Sequence, residues 1–189
     1  MNDIAKFLYE VGQLKRVKRS GWWLINIANP ENVAEHSHRA AVIGFILARL
    51  EKADPYKTVM MCLFNDLHEA RINDLHKVGQ RYIDFKAAET KAHKEQVERL
   101  PPAIGKEVFG LHEEFQAQKT KESVIARDAD LLENAVQARE YIDIGYDAAQ
   151  DWIDNIKTIL MTDSAKKLMA ELEKTDSNSW WKGLKKIAR

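Results

Sequence analysis

Apolar residues recur at three- and four-residue spacing through most of this 189-residue chain, without convincing alternating apolar and polar runs. That spacing is typical of amphipathic helices. Only eight Gly and four Pro interrupt it, so the pattern predicts long helices joined by short breaks. The predicted fold class is therefore all-α. Helices are expected over residues 3–16, 33–50, 55–70, 81–99, 103–118, 121–143, 148–161 and 163–174.

Local signals mark where several of these helices begin. Asn32, followed three residues later by Glu35, has the capping-box pattern. Asp54-Pro55 combines an N-cap with a proline at the first helical position, and Asp163-Ser164 supplies a cap for the last helix. The helix after Asn32 is apolar nearly all round, which predicts a central, buried helix.

Neither an internal repeat nor a long linker divides the chain. Residues 1–189 are therefore expected to form one domain, with a core over about 5–145 and C-terminal helices over about 148–189 that pack on it. Residues 73–79 predict a turn, and the highly charged segment 81–99 predicts a solvated helix. Trp180-Trp181 predicts an anchor for the tail or a contact between subunits.

Charge and composition exclude some functional classes. Lys and Arg together number 29, as do Asp and Glu, so no overall basic field favours nucleic acid as a partner. The chain shows no signal peptide pattern and no apolar stretch approaching the ~20 residues that span a membrane. Its one cysteine, Cys62, lies in an apolar run and suits a reduced core thiol. These features predict a cytoplasmic protein.

Two polar residues interrupt apolar helix faces. His36 shares a face with Ala40, Ile43 and Leu47, where a hydrogen-bonded core histidine is the more common role. Asp66 continues the apolar stripe of the preceding turns. A carboxylate in that position needs a metal ion, an arginine or several donors, and Arg71 or a nearby lysine is an alternative partner to a metal.

A third polar feature is the segment Arg127-Asp128-Ala129-Asp130 within an otherwise apolar helix. Its two carboxylates are two positions apart, so they point in different directions. Periodicity slightly favours Asp128 as the inward residue and leaves Asp130 on a flank.

The order His36, Asn65-Asp66, Asp130 resembles the H…HD…D signature of the HD superfamily of metal-dependent phosphohydrolases. The flanking residues resemble the 5′-deoxynucleotidase subgroup, and the similarity runs from about residue 5 to about 145. The segments that carry it are Leu14-Lys15, Arg19, Gly21-Trp22, Val33 to Ser37, Asp66 to Arg71 and Asp128 to Asp130. This resemblance implies an HD-type helical bundle, hydrolysis of a (deoxy)nucleoside 5′-monophosphate and a homodimer.

The resemblance also implies a single divalent metal ion, Mn, Co, Fe, Zn or Mg, held by His36, Asn65, Asp66 and Asp130. It thus selects Asp130 over Asp128. One departure is that the family has histidine where this chain has Asn65, and an amide oxygen is a weaker, harder ligand than imidazole. Asn65 either ligates with reduced affinity, inactivates the enzyme, or marks a nucleotide-binding or scaffold protein that has lost the reaction.

Further roles follow from the same resemblance. Glu69 and Asp74 match the family's catalytic acids: Glu69 would orient or deprotonate the attacking water, and Asp74 would protonate the leaving oxygen or bind the sugar. Arg19 would contact the phosphate. Trp22 would stack on the base or sugar or else seal the core, and Lys77 would meet phosphate or remain solvated. Hydrolysis of another phosphoester, such as a cyclic dinucleotide or a nucleoside triphosphate, is the alternative enzyme reaction.

Overall fold

The computed structural model describes residues 1–184, and these contain helices but no β-strand. The all-α prediction is therefore confirmed, whereas the single-domain organisation stays a prediction. The helices are α1 (Asn2–Val11), α2 (Val33–Glu51), α3 (Pro55–Phe64), α4 (Glu69–Ile72), α5 (Lys77–Gln80), α6 (Phe85–Val97), α7 (Pro102–Ala117), α8 (Lys121–Asp143), α9 (Gln150–Ile159) and α10 (Asp163–Leu172). Short 3₁₀ turns cover Gly12–Lys15, Ser20–Ile25, Asp147–Ala149 and Ser179–Trp181.

The predicted helix starts are largely confirmed. Asn32 caps α2 in a complete capping box with Glu35, and the Asp54 side chain accepts two backbone N–H bonds at the start of α3. The predicted cap of α10 was wrong by one residue, because the side chain of Thr162 accepts the N–H of Ala165.

Three helices, α2, α3 and α8, form the centre of the fold. Gly44 lets α2 and α3 approach closely, since a Cβ there would lie 3.0 Å from the Cys62 sulfur. The buried side chains between these helices include Leu47, Met61, Ile125 and Leu132. Such close packing leaves little freedom for polar groups that the same helices carry inward.

One face of α2 is exposed, so the prediction of a helix buried all round was wrong. Val42, Phe45, Ile46 and Leu50 are each at least 42% exposed. The helix is central on one side only, and its apolar outer face has no covering element among the described residues.

The charged segment 81–99 forms a shorter helix than predicted, because Asp84 caps it and α6 begins at Phe85. It is also only partly solvated: Ala92, His93, Gln96 and Val97 are buried.

Trp180 and Trp181 near the C-terminus are 75% and 52% exposed, so the predicted tail anchor was wrong. None of the described helices has the length and apolar character needed to cross a membrane.

Two buried histidines stack between α6 and α7. The ring centroids of His93 and His112 lie 4.2 Å apart, and none of their four ring nitrogens has a hydrogen-bond partner among the described residues. Burial lowers the pKa of His93 to about 3 and that of His112 to about 4. Both imidazoles are therefore neutral in the folded protein near neutral pH.

We expect this histidine pair to destabilise the fold as the pH falls. The unfolded imidazoles take up protons below about pH 6.5 while the folded ones do not, so their contribution is complete above that pH and declines towards pH 4. Together they should remove about 2 to 4 kcal/mol from the free energy of unfolding between pH 7 and 5. Urea titrations of the wild type and a His93→Leu/His112→Leu variant measure this, and equal pH slopes for the two proteins would contradict it.

Asp128 on α8 secures the loop between α9 and α10. Its buried carboxylate accepts the N–H groups of Met161 and Thr162 and the hydroxyl of Thr162, at 2.7 to 3.2 Å. The prediction that Asp128 points inward is correct, but its oxygens are used by the fold.

Replacing Asp128 with Ala should lower the free energy of unfolding by about 2 to 4 kcal/mol, because buried N–H groups lose charged acceptors. Chemical denaturation measures the loss. Asp154→Ala on the exposed side of α9 is the matched control, and an equal effect of both substitutions would show that the Asp128 bonds contribute nothing specific.

Candidate metal centre

His36, Asp66 and Asp130 converge from three separate parts of the chain. His36 Nε2 lies 2.9 Å from Asp130 Oδ1 and 3.5 Å from Asp66 Oδ2. One potential ligand atom from each residue falls within 4.8 Å of the others. His36 is 1% exposed, so the cluster forms a largely desolvated group of one imidazole and two carboxylates.

The end of α3 determines where Asp66 points. A helix was predicted through about residue 70, but α3 ends at Phe64 and a turn over residues 65–68 precedes the short helix α4. All four residues of that turn are buried. Asn65 and Asp66 are therefore both directed into the protein at the point where the regular helix ends.

Asn65 contributes an amide oxygen without a hydrogen-bond partner in the described part of the chain. Its Nδ2 donates to Asp66 Oδ1 at 2.7 Å, whereas its Oδ1 is buried without a hydrogen bond among the described residues. Glu69 Oε2 is buried and unpartnered in the same way. The orphaned amide oxygen of Asn65, next to the carboxylate of Asp66, fits a bound cation, since an amide oxygen is a suitable ligand for a hard divalent ion.

Burial and repulsion between neighbouring carboxylates disfavour part of the negative charge at the cluster, although Arg127 pairs with Asp130 at 3.2 Å. Burial raises the pKa of Asp66, and the neighbouring Asp130 adds to this effect. Burial and the charge of Asp66 raise the pKa of Glu69 well above its ordinary value. Burial and Arg19 lower the pKa of His36, but Glu133 and Asp130 outweigh them and raise it to about 10. A divalent ion would compensate these carboxylates in place of protons.

Asp74 and Arg19 form a second polar group near the cluster. Arg19 Nη1 lies 3.0 Å from Asp74 Oδ2, and its Nη2 donates to Asn134 Oδ1 at 2.9 Å. The backbone N–H and hydroxyl of Ser20 both donate to Asp74 Oδ1. Asp74 thus fixes the loop that carries the arginine.

Trp22 is buried next to this loop. It is 1% exposed, and its Nε1 donates to Glu31 Oε1 at 3.1 Å. The ring stacks on Trp152 of α9, with centroids 5.0 Å apart. Trp22 therefore belongs to the core, and only one part of it borders the adjoining cavity.

A cavity of about 980 Å³ brings the predicted site residues together. Its size is that of a small-molecule binding site. Among the residues that line it are Arg19, Trp22, Asn65, Asp66, Glu69, Asp74, Lys77 and Asp130. Lys77 is exposed and donates to Gln80. His36 does not line the cavity itself and is buried next to Asp66 and Asp130, which do.

Arg71 does not pair with Asp66, which was the alternative to a metal. Its guanidinium binds Glu10 and Glu95 instead. Among the described residues, the carboxylate of Asp66 accepts a hydrogen bond from Asn65 and lies within ion-pair distance of His36.

Sequence reasoning missed Arg39 and Glu133. Each follows a predicted ligand by three positions, His36 on α2 and Asp130 on α8, and therefore shares its helix face. Glu133 is fully buried, four positions after the buried Ala129. A charged residue on that apolar stripe was the signal that would have identified it.

Comparisons with known proteins agree with this geometry. The sequence model described as HD domain matches residues 11–173. The 5'-deoxynucleotidase HDDC2 of Mus musculus is 30% identical over 179 residues, which cover 93% of this chain and 89% of that protein. A conserved hypothetical protein from Pyrococcus furiosus has the same fold, with a TM-score of 0.77, 28% identity and coverage of 90% of this chain and 99% of its own. The chain therefore belongs to the HD domain family.

Proposed function

We propose that this protein is a metal-dependent phosphohydrolase that converts a (deoxy)nucleoside 5′-monophosphate to nucleoside and phosphate. The observation that carries the proposal is the cluster of His36, Asp66 and Asp130 beside a cavity that also holds Arg19. The name of the HDDC2 relative, a 5'-deoxynucleotidase, supports the substrate class.

The residues that would hold the ion are His36, Asn65, Asp66 and Asp130. When bound, a divalent ion supplies a Lewis acid that acidifies water and neutralises phosphate charge. One imidazole nitrogen with three oxygen donors suits Mn, Co, Fe, Zn or Mg. Oδ1 of Asn65 has no hydrogen-bond partner among the residues that the structure describes, which supports its use as a ligand.

Arg19 and Asp74 would act on the substrate as a unit. The ion pair and the Ser20 bonds keep Arg19 at the cavity wall, where its guanidinium can bind the phosphate oxygens. Both oxygens of Asp74 are engaged in that task, so we assign it first to positioning Arg19. Proton donation to the leaving oxygen, or contact with the sugar, stays an expectation for Asp74.

Glu69 is the proposed group that orients and deprotonates the attacking water. Its Oε2 is buried without a hydrogen-bond partner within residues 1–184, and the residue lines the cavity beside Asp66. A free carboxylate oxygen in that position can accept a proton without breaking an existing bond. Trp22 would border the base or sugar, and Lys77 lies at the cavity edge where phosphate can reach it.

Replacing Glu69 with Gln should reduce phosphate release from deoxynucleoside 5′-monophosphates by about 10²- to 10⁴-fold, because the amide cannot accept the proton. Metal content should be unchanged. A phosphate assay with added Mn²⁺ or Co²⁺, together with elemental analysis of the purified protein, measures both quantities. Loss of metal in this variant would show that Glu69 is a ligand instead.

The wild type and an Asn65→His variant should both release phosphate. The substitution should raise the affinity for Co²⁺ relative to Mg²⁺ by on the order of tenfold, because imidazole suits transition ions better than an amide oxygen does. Calorimetric titration of the two proteins with each ion measures the change, beside the phosphate assay. Hydrolysis by the Asn65→His variant alone would identify Asn65 as an inactivating residue.

Two other functions lead to different results in these assays. A nucleotide-binding or scaffold protein, suggested by Asn65, would bind deoxynucleotides without releasing phosphate even in excess metal. An HD-type hydrolase of another phosphoester would leave monophosphates intact and cleave a cyclic dinucleotide or a nucleoside triphosphate.

A homodimer is the assembly that we propose, and nucleic acid is not a proposed partner. The exposed apolar side chains on α2, including Val42, Phe45 and Ile46, support a subunit interface there. The cytoplasmic location stays a prediction.

A further inference from the structure

The two nitrogens of His36 face different groups. Nε2 faces Asp130 and Asp66, whereas Nδ1 lies against Glu133 Oε2. A neutral histidine that binds a metal through Nε2 must carry its proton on Nδ1. The contact with Glu133 is made at Nδ1, so a hydrogen bond there would favour the tautomer that leaves Nε2 free for the metal.

Glu133 is a completely buried carboxylate with two cationic or N–H partners. Its Oε2 contacts His36, and its Oε1 accepts from Arg39 Nε at 2.9 Å and lies 2.8 Å from Arg39 Nη2. A buried carboxylate keeps its charge only when such partners are present. Arg39 meets this requirement from α2, one helical turn after His36.

Arg39 is itself held by two further side chains of α8. Its Nη2 and Nη1 donate to Gln137 and Glu140 on α8 at 2.6 and 2.8 Å. The guanidinium thus links the surface of α8 to the buried Glu133 and remains 29% exposed.

Glu31 forms a second group of possible ligands with His36 and Glu133. The positive charge on that side already comes from Arg39, whose Nη2 lies 4.0 Å from Glu31 Oε2. A cation is therefore better accommodated on the Nε2 side of the ring, between Asp66 and Asp130.

We propose that Glu133 and Arg39 are positioning residues, which fix the orientation and tautomer of His36 so that its Nε2 lone pair faces the metal position. The Nδ1–H of His36 donates a hydrogen bond to Glu133, and Arg39 holds that carboxylate in place. The inference rests on the metal site of the proposed function, and it assigns no contact with substrate to either residue.

The experiment is a calorimetric titration with Mn²⁺ of the wild type, Glu133→Gln, Arg39→Lys and Glu140→Gln. Loss of an outer carboxylate that holds a ligating histidine lowers metal affinity by about 10- to 100-fold, and we expect a loss of that size for Glu133→Gln. Arg39→Lys keeps the charge but loses the planar fork, and should lose at least about threefold. Glu140→Gln is the control: it weakens an exposed pair of Arg39 without touching Glu133 and should change affinity less than about twofold.

A second readout separates tautomer control from general support of the fold. In ¹⁵N-histidine-labelled protein loaded with Zn²⁺, His36 should carry its proton on Nδ1 in the wild type. In Glu133→Gln the amide can donate to Nδ1 and favour the Nε2–H form, which opposes metal binding. Arg39→Lys retains a charged partner for Glu133 and provides the test if Glu133→Gln does not fold.

Unchanged Mn²⁺ affinity in folded Glu133→Gln, or an Nε2-protonated His36 in the zinc-loaded wild type, would overturn the proposal. So would a wild type that binds no Mn²⁺. If the wild type binds Mn²⁺ and the variants lose it, but none of them releases phosphate from deoxynucleotides, the positioning role stands and the proposed function fails.

Discussion

The structure depends on gathering several carboxylates around one buried imidazole. Asp66, Asp130 and Glu133 all reach His36 within a largely buried region that borders the cavity. Like charges in such surroundings repel strongly, and each loses its hydration. They can be retained only because positive charge is placed among them. Arg39 provides it on the Nδ1 side of the ring. On the Nε2 side Arg127 pairs with one oxygen of Asp130, and the other carboxylate oxygens there suit a divalent ion.

This arrangement explains why α2 and α8 carry their functional residues in pairs. Three positions separate His36 from Arg39 and also Asp130 from Glu133. At that spacing two side chains share one helix face, so a single contact between the helices brings all four residues together. Asp128, two positions before Asp130, points elsewhere and holds the loop before α10. On the same helix, Asp128 therefore stabilises the fold and Asp130 faces His36, because the two carboxylates point in different directions.

Much of the fold could be predicted because its signals are local. The cap at Asn32 and the Asp54-Pro55 start depend on contacts within one helical turn, and the apolar spacing indicates helix without reference to distant residues. The end of α3 at Phe64 could not be predicted in this way. Apolar spacing continues past it and neither Gly nor Pro marks the end, yet residues 65–68 form a buried turn there.

Local patterns in the chain were enough to establish the helical fold class and most helix starts, and the resemblance was enough to predict a set of site residues. The partners of those residues emerged only from the way the helices pack. Packing placed Arg71 with Glu10 instead of Asp66, and it left Asn65 Oδ1 without a donor among the described residues. It also brought Glu133 to His36 across 97 positions of the chain. Periodicity gives the direction of a side chain on its own helix, but the charge that meets it depends on residues far away in the chain.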